Sequence, residues 1–148
     1  MPAAPPTPST PGVVVTERRV LYGETDRMGY VYYGQYPLWF EEGRTELLRL
    51  LGFVYRDLED GGVLLPVRHL AIRYHAPVRY DDCVRVATGV GRVGRASVAF
   101  VSAVYDLDGP LRTEGTVELA SVDATGKPRP LSVPLRQALH DVLLADLP

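Results

Sequence analysis

The feature that most constrains the fold is a change in the spacing of apolar residues near Leu64. Between residues 36 and 51, apolar or small residues recur at i, i+3, i+4 and i+7, which predicts an amphipathic helix. Pro37 suits the first turn of that helix, and Gly52 suits its C-terminal stop. From Leu64 onward the period becomes two, as in a β-strand with one buried face. This spacing predicts Leu70, Ile72 and Tyr74 on one face of the strand and His69, Arg73 and His75 on the other.

Strand patterns occur once before the predicted helix and four times after it. The predicted strands are about 13–22, 64–75, 84–90, 98–104 and 117–121. Turn signals at Gly91–Gly94 and Asp108–Gly109 predict that the last four strands follow one another as hairpins. A short C-terminal helix is expected over 133–144. One strand, one long helix and then a run of strands is an α+β pattern.

The first twelve residues are nearly all Pro, Ala, Ser and Thr, a composition that buries little apolar surface. We predict a disordered tail over 1–12 and one folded domain over 13–148. A single helix covers one face of a sheet of about five strands, so the other face and the outer strands are left for a second subunit. The sequence therefore predicts a homodimer or a dimer of dimers, which is a homotetramer.

Several function classes are disfavoured by composition. Cys83 is the single cysteine and the N-terminus does not have a leader pattern, so we expect a reducing, cytoplasmic location. No apolar run reaches the roughly 18 residues of a membrane span. A formal net charge of −2 does not favour nucleic-acid binding. The three histidines have no metal-ligand spacing, so neither a metal nor a cofactor is expected.

The residues between the first strand and the helix carry the strongest signal for chemistry. They read Tyr-Gly-Glu-Thr-Asp-Arg-Met-Gly-Tyr-Val-Tyr-Tyr-Gly-Gln-Tyr over 22–36. The N-terminus of a helix presents unpaired N–H groups that can stabilise the oxygen of a polarised carbonyl. A carboxylate in the preceding loop could attack that carbonyl or activate water, so this junction is the candidate active site.

This segment resembles the hotdog-fold thioesterases of the 4-hydroxybenzoyl-CoA thioesterase family. Their signature is roughly Tyr-x-Asp/Glu-Thr-Asp-x-x-Gly-x-Val-x-x-x-x-Tyr, followed by an aromatic residue and Glu-x-x-Arg, and every element is present over 22–44. A weaker resemblance extends to Pro130. It implies an α+β hotdog fold, in which an antiparallel sheet of about five strands wraps one long helix, and hydrolysis of acyl-CoA with CoA as part of the substrate.

The resemblance also implies the site residues. Asp26 corresponds to the catalytic carboxylate, Tyr33 to the residue whose backbone N–H polarises the thioester carbonyl, and Gly29 allows the turn between them. Whether Asp26 is a nucleophile or a general base for water stays open. Residues at similar positions in the family meet the phosphates of CoA, and here these are Arg92, Arg95, Lys127 and Arg129.

Three alternatives remain at this point. Glu41, Glu42 and Glu46 rival Asp26, because a second group of hotdog thioesterases places its carboxylate on the helix. The acyl carrier could be an acyl carrier protein instead of CoA. The chain could also be a non-catalytic module that binds acyl-CoA or an acyl carrier protein, since related folds include acyl binders.

Overall fold

The computed structural model describes residues 4–145 and has the predicted α+β architecture. The element bounds in chain order are β1 Val14–Arg19, α1 Tyr36–Leu50, α2 Tyr55–Asp60, β2 Val67–Tyr74, β3 Cys83–Val93, β4 Ser97–Asp106, β5 Leu111–Ala120 and α3 Val133–Asp141. Single 3₁₀ turns at Tyr22–Glu24 and Tyr33–Gln35 lie between β1 and α1. The short helix α2 was not predicted.

The five strands form one antiparallel sheet in the order β1-β3-β4-β5-β2. The prediction that the last four strands follow one another as hairpins is therefore wrong for the step from β2 to β3, because β2 crosses the sheet and pairs with β5. Periodicity identifies a strand but does not identify its partner. The predicted turn at 91–94 is also displaced: β3 continues to Val93, with a bulge between Val90 and Arg92.

Helix α1 lies against one face of the sheet, which we call the inner face. Trp39 and Phe40 are about 1% exposed and join the strand side chains in a single core. Helix and sheet pack closely at Gly43, since a Cβ there would lie 2.2 Å from Oγ1 of Thr88. Thr88 and Ser102 are both buried and share a 3.0 Å hydrogen bond. Glycine lets the helix backbone reach this polar pair.

The sheet has one strand edge at each end of its order, and the β2 edge is the more exposed. Val67, Leu70 and Tyr74 on β2 are 42–49% exposed. The register places Leu70 and Tyr74 beside inner-face residues of β5, as the period of two predicted. An edge strand with unpaired backbone groups and exposed apolar side chains is a surface suited to pairing with another strand.

The N-terminal segment is described from Ala4. Residues Thr7–Thr10 form a turn, Pro6 is buried, and its carbonyl accepts a 3.0 Å hydrogen bond from the Tyr105 hydroxyl. Tyr105 points to the outer face of the sheet, opposite α1. The predicted disorder of 1–12 stays a prediction; residues 1–3 lie outside the described residues.

Candidate active site

A cavity of about 250 Å³ lies where the β1–α1 junction meets the end of β2. Asp26 and Tyr33, the two residues that the sequence singled out for catalysis, both line it. Most of the other lining residues are aromatic or apolar. The full lining is Asp26, Met28, Tyr30, Val31, Tyr33, Tyr36, Tyr74, His75, Ala76 and Pro77. A mostly apolar cavity with a few polar groups is a common arrangement in small-molecule sites.

Asp26 begins a tight turn that ends at Tyr30. The N–H of Gly29 donates to the Asp26 carbonyl and the N–H of Asp26 donates to the Tyr30 carbonyl, each at 3.0 Å. Gly29 has φ +88°, which L side chains rarely adopt, so glycine suits this position. Oδ1 of Asp26 accepts the Met28 N–H at 2.9 Å. Within residues 4–145 no hydrogen bond involves Oδ2, which leaves that oxygen available to a substrate or water.

Glu24 fixes this turn to the core. Its side chain is buried and accepts hydrogen bonds of 2.8 Å from the indole of Trp39, from the guanidinium of Arg18 and from the N–H of Leu21. The Arg18 guanidinium also lies 4.9 Å from the centre of the Trp39 ring and pairs with Glu42. A buried carboxylate that is fully paired is compatible with folding. The chain before Asp26 is therefore tied to α1.

Tyr33 begins the 3₁₀ turn that leads into α1. Its neighbours are held in place: the Tyr32 N–H donates to the Glu24 carbonyl, and the Gln35 N–H donates to the Tyr32 carbonyl, both at 2.9 Å. The N–H of Tyr33 itself has no acceptor among the residues that the structure describes. An unpaired N–H at the start of a helical segment can donate to an oxygen in the cavity.

Aromatic side chains complete one wall of the cavity. The rings of Tyr36 and Tyr74 meet edge to face at 5.3 Å, and Tyr36 continues to Trp39 at 5.0 Å. Burial raises the pKa of Tyr36 and of Tyr74. Both phenols therefore stay protonated at neutral pH and can act as hydrogen-bond donors.

The four predicted CoA-binding cations lie near the opposite end of the sheet from this cavity. Arg92 shares the Glu118 carboxylate with Arg68. Arg129 donates to the Gly62 carbonyl at 3.0 Å. The other two, Arg95 and Lys127, are exposed and have no carboxylate within salt-bridge distance among residues 4–145.

Backbone hydrogen bonds link the segments that carry these cations. Leu131 N donates to Arg95 O at 2.9 Å, which joins the β3–β4 turn to the segment after β5. The β2 residue near this group is Val67, whereas Tyr74 lines the cavity. The seven intervening steps of β2 span about 24 Å. One chain thus does not bring its carboxylate and its cations together.

The helix glutamates do not line the cavity. Glu42 pairs with Arg18 and Glu46 lies 3.5 Å from Arg49 on the same helix. Glu41 is exposed. Their contacts are those of an ordinary solvated helix face, so Asp26 is the better placed carboxylate.

No helix within 4–145 has the length and hydropathy needed to cross a bilayer. The same residues hold no group of three or more His, Cys, Asp or Glu side chains arranged to bind a metal ion.

A family comparison supplies the decisive observation. The model of the thioesterase superfamily matches residues 28–113, which is more than half of the chain. This chain belongs to the thioesterase superfamily. The prediction of a thioesterase from the sequence is confirmed at the level of this enzyme family. The match starts at Met28, so it covers Tyr33 and all the other lining residues of the cavity except Asp26.

Individual members of the superfamily agree with this assignment. The chain is 37% identical over 107 residues to the putative acyl-CoA thioesterase YneP of Bacillus subtilis, covering 72% of this chain and 78% of the relative. It is 33% identical over 114 residues to the acyl-CoA thioester hydrolase YbgC of Escherichia coli O6:H1, covering 76% and 85%.

The solved structures confirm the hotdog fold. The DHNA-CoA thioesterase from Staphylococcus aureus superposes with a TM-score of 0.83 and 34% identity, covering 88% of this chain and 90% of that one. The 1,4-dihydroxy-2-naphthoyl-CoA thioesterase Slr0204 from Synechocystis superposes with a TM-score of 0.81 at 20% identity, which supports the fold alone.

Sequence reasoning missed two residues of the site. Glu24 is a buried anchor, although its position in the motif gave no indication of burial. Tyr74 was placed on the correct strand face, but no pattern links it to a cavity whose other wall lies about forty residues earlier in the chain.

Proposed function

We propose that the protein hydrolyses acyl-CoA thioesters to a free acid and CoA, with Asp26 as the reacting carboxylate and the Tyr33 N–H as the donor to the thioester oxygen. The observation that carries the proposal is that both residues line one cavity and that each has a free hydrogen-bonding atom in the described part of the chain. The named activities of YneP and YbgC support the substrate class.

The chemistry needs only these two groups. If Asp26 is the nucleophile, Oδ2 attacks the carbonyl carbon, the C–S bond breaks, CoA leaves as a thiolate, and water then hydrolyses the acyl–Asp26 anhydride. If Asp26 is a general base, it takes a proton from the water that attacks the carbonyl carbon, the C–S bond breaks, and CoA leaves as a thiolate that accepts this proton. In both routes negative charge develops on the thioester oxygen, where a fixed N–H donor stabilises it.

The acyl group occupies the aromatic part of the cavity. Tyr36 and Tyr74 form its inner wall and Met28 lies near its exposed side. About 250 Å³ suits a short or ring-containing acyl group better than a long extended chain.

CoA binding requires a second copy of the chain. If two β2 edges pair about a two-fold axis, the strands run antiparallel, so the Tyr74 end of one copy meets the Val67 end of the other. The cations Arg92, Arg95, Lys127 and Arg129 of one copy then approach the Asp26 cavity of its partner. We propose a homodimer built in this way as the catalytic unit.

Mixed dimers test this arrangement. A chain with Asp26→Asn and a chain with Arg95→Ala and Lys127→Ala should complement each other after co-refolding, because one of the two sites in a mixed dimer has both an intact carboxylate and intact cations. At acyl-CoA concentrations below the wild-type KM, activity above that of either parent dimer is expected. Native mass spectrometry verifies that mixed dimers form. If they form without a gain in activity, the carboxylate and the cations of one site belong to the same chain.

The function itself is tested by thiol release from a panel of short, long and aromatic acyl-CoAs and acyl carrier proteins. Wild type should release thiol from at least one acyl-CoA, and Asp26→Asn should not. Asparagine keeps the Oδ1 acceptor for the Met28 N–H, so the turn is preserved. Binding without thiol release by wild type would favour a binding module, and full activity in Asp26→Asn would favour the helix glutamates.

A further inference from the structure

The hydroxyl of Tyr74 makes a hydrogen bond that the proposed reaction does not itself require. It donates to the backbone carbonyl of Tyr33 at 2.8 Å. Tyr74 belongs to β2, whereas Tyr33 belongs to the 3₁₀ turn before α1, so this contact joins the two walls of the cavity. It is the one side-chain hydrogen bond to the Tyr33 backbone within residues 4–145.

Apart from the backbone hydrogen bonds made by the Tyr32 and Gln35 N–H groups, the Tyr33 turn has few other restraints on its solvent side. Tyr33 is 65% exposed and its ring rests on the neighbouring ring of Tyr32, which is also exposed. Gly34 follows, and glycine limits backbone rotation less than any other residue. A donor N–H stabilises an oxyanion well only if its direction is fixed before the reaction. The turn therefore needs an external restraint.

Tyr74 has the properties of such a restraint. Its ring is held edge to face by Tyr36, which is 2% exposed and packs on Trp39 in the core. Burial, with a contribution from Tyr33, raises the pKa of Tyr74, so its hydroxyl keeps its proton across the neutral range. The hydrogen bond also polarises the peptide group formed by the Tyr33 carbonyl and the Gly34 N–H.

We propose that Tyr74 is a positioning residue, which holds the Tyr33 backbone so that its N–H points at the thioester oxygen. This inference rests on the proposed function, because it gives the Tyr33 N–H its role. Tyr74 acts on the transition state, where charge develops on that oxygen, and contributes little to binding of the ground state.

The test is Tyr74→Phe, which removes the hydroxyl and keeps the ring. Tyr55→Phe is the matched control, since the Tyr55 hydroxyl also donates to a backbone carbonyl, that of Leu65 at 3.1 Å, outside the cavity. We expect kcat to fall roughly tenfold in Tyr74→Phe with KM unchanged, and both constants to keep their wild-type values in Tyr55→Phe.

A second measurement reports on the backbone directly. Loss of the hydrogen bond to the Tyr33 carbonyl should move the Gly34 amide nitrogen resonance upfield in Tyr74→Phe and leave it in place in Tyr55→Phe. A wild-type kcat in Tyr74→Phe, or a change in KM alone, would overturn the positioning role while leaving the proposed function standing. If wild type hydrolysed no thioester, the proposed function would fall, and the role of Tyr74 with it.

Discussion

The turn that begins at Asp26 and the turn that begins at Asp123 have the same backbone hydrogen bonds. In each, the aspartate carbonyl accepts the N–H of a glycine three residues later, and the aspartate N–H donates to the carbonyl four residues later. Oδ1 accepts the N–H two residues later, at 2.9 Å in the first turn and 2.8 Å in the second. Gly29 and Gly126 have φ values of +88° and +85°.

The two aspartates differ in what surrounds the turn. Oδ1 of Asp123 also accepts from the Thr125 hydroxyl and from the Lys127 N–H, and these bonds hold the pKa of Asp123 below its usual value. Asp26 makes a single side-chain hydrogen bond within 4–145 and lines an aromatic cavity. An aspartate in such a turn is thus a structural residue in both places, and of the two only Asp26 also lines a cavity together with Tyr33.

The largest expected difference between the turns is in turnover. Asp26→Ala and Asp123→Ala each remove a turn acceptor, so each should lower the free energy of unfolding. Only Asp26→Ala should also lower kcat, by roughly a thousandfold, since it removes the reacting group. Urea denaturation and steady-state thiol release measure the two effects. Equal losses of kcat in the two variants would contradict a catalytic role that is specific to Asp26.

The glycines of the two turns should also differ in their effect on turnover. Gly29→Ala and Gly126→Ala should both cost about 1 kcal/mol of stability, because each φ is positive and no neighbour lies closer than 3.9 Å to an added Cβ. We expect kcat to fall about tenfold in Gly29→Ala alone, as the carboxylate shifts relative to the donor. A kcat loss in Gly126→Ala would contradict this separation of roles.

Lys127 lies in the Asp123 turn. Its substitution should therefore weaken binding of acyl-CoA and leave the chemical step unchanged. Lys127→Ala should raise KM for acyl-CoA about threefold and leave kcat unchanged, with a smaller effect at high salt. The control is Arg136→Ala, which removes an exposed cation from α3. Equal KM values for wild type and Lys127→Ala would remove Lys127 from the CoA site.

The smallest expected effect is in the pH dependence of stability. The folded pKa of Asp123 is depressed, so its carboxylate contributes stability above the ordinary pKa, and that contribution is lost as the pH falls through the folded pKa. Asp123→Asn should therefore be slightly less stable than wild type at pH 7, and the gap should narrow as the pH falls below the ordinary pKa of an aspartate. Urea denaturation across this pH range measures the difference, and a constant gap would refute it.

The local elements were predictable from the sequence because local patterns determine them. Helix α1 begins at Tyr36 as predicted and ends at Leu50, one residue earlier than the spacing indicated. The period of two placed Leu70, Ile72 and Tyr74 on one face of β2. The motif and its family resemblance identified Asp26 and Tyr33, which the structure places in one cavity.

Long-range relations were not predictable in the same way. The pairing of β2 with β5 depends on a crossover that leaves no periodic signal. The contact between Tyr74 and Tyr33 spans 41 positions and follows from that pairing, because β2 ends beside the β1–α1 junction. The separation of the cations from the cavity also depends on the strand order, which the periodicity of the sequence does not specify.

The most direct test of the role of Asp26 is single-turnover thiol release by Asp26→Asn and Asp123→Asn on the best acyl-CoA of the panel. Both variants keep their turn acceptor, and single-turnover conditions isolate the chemical step from product release. We predict a rate at least a thousandfold below wild type for Asp26→Asn and a wild-type rate for Asp123→Asn. Equal, wild-type rates in both variants would contradict catalysis by Asp26.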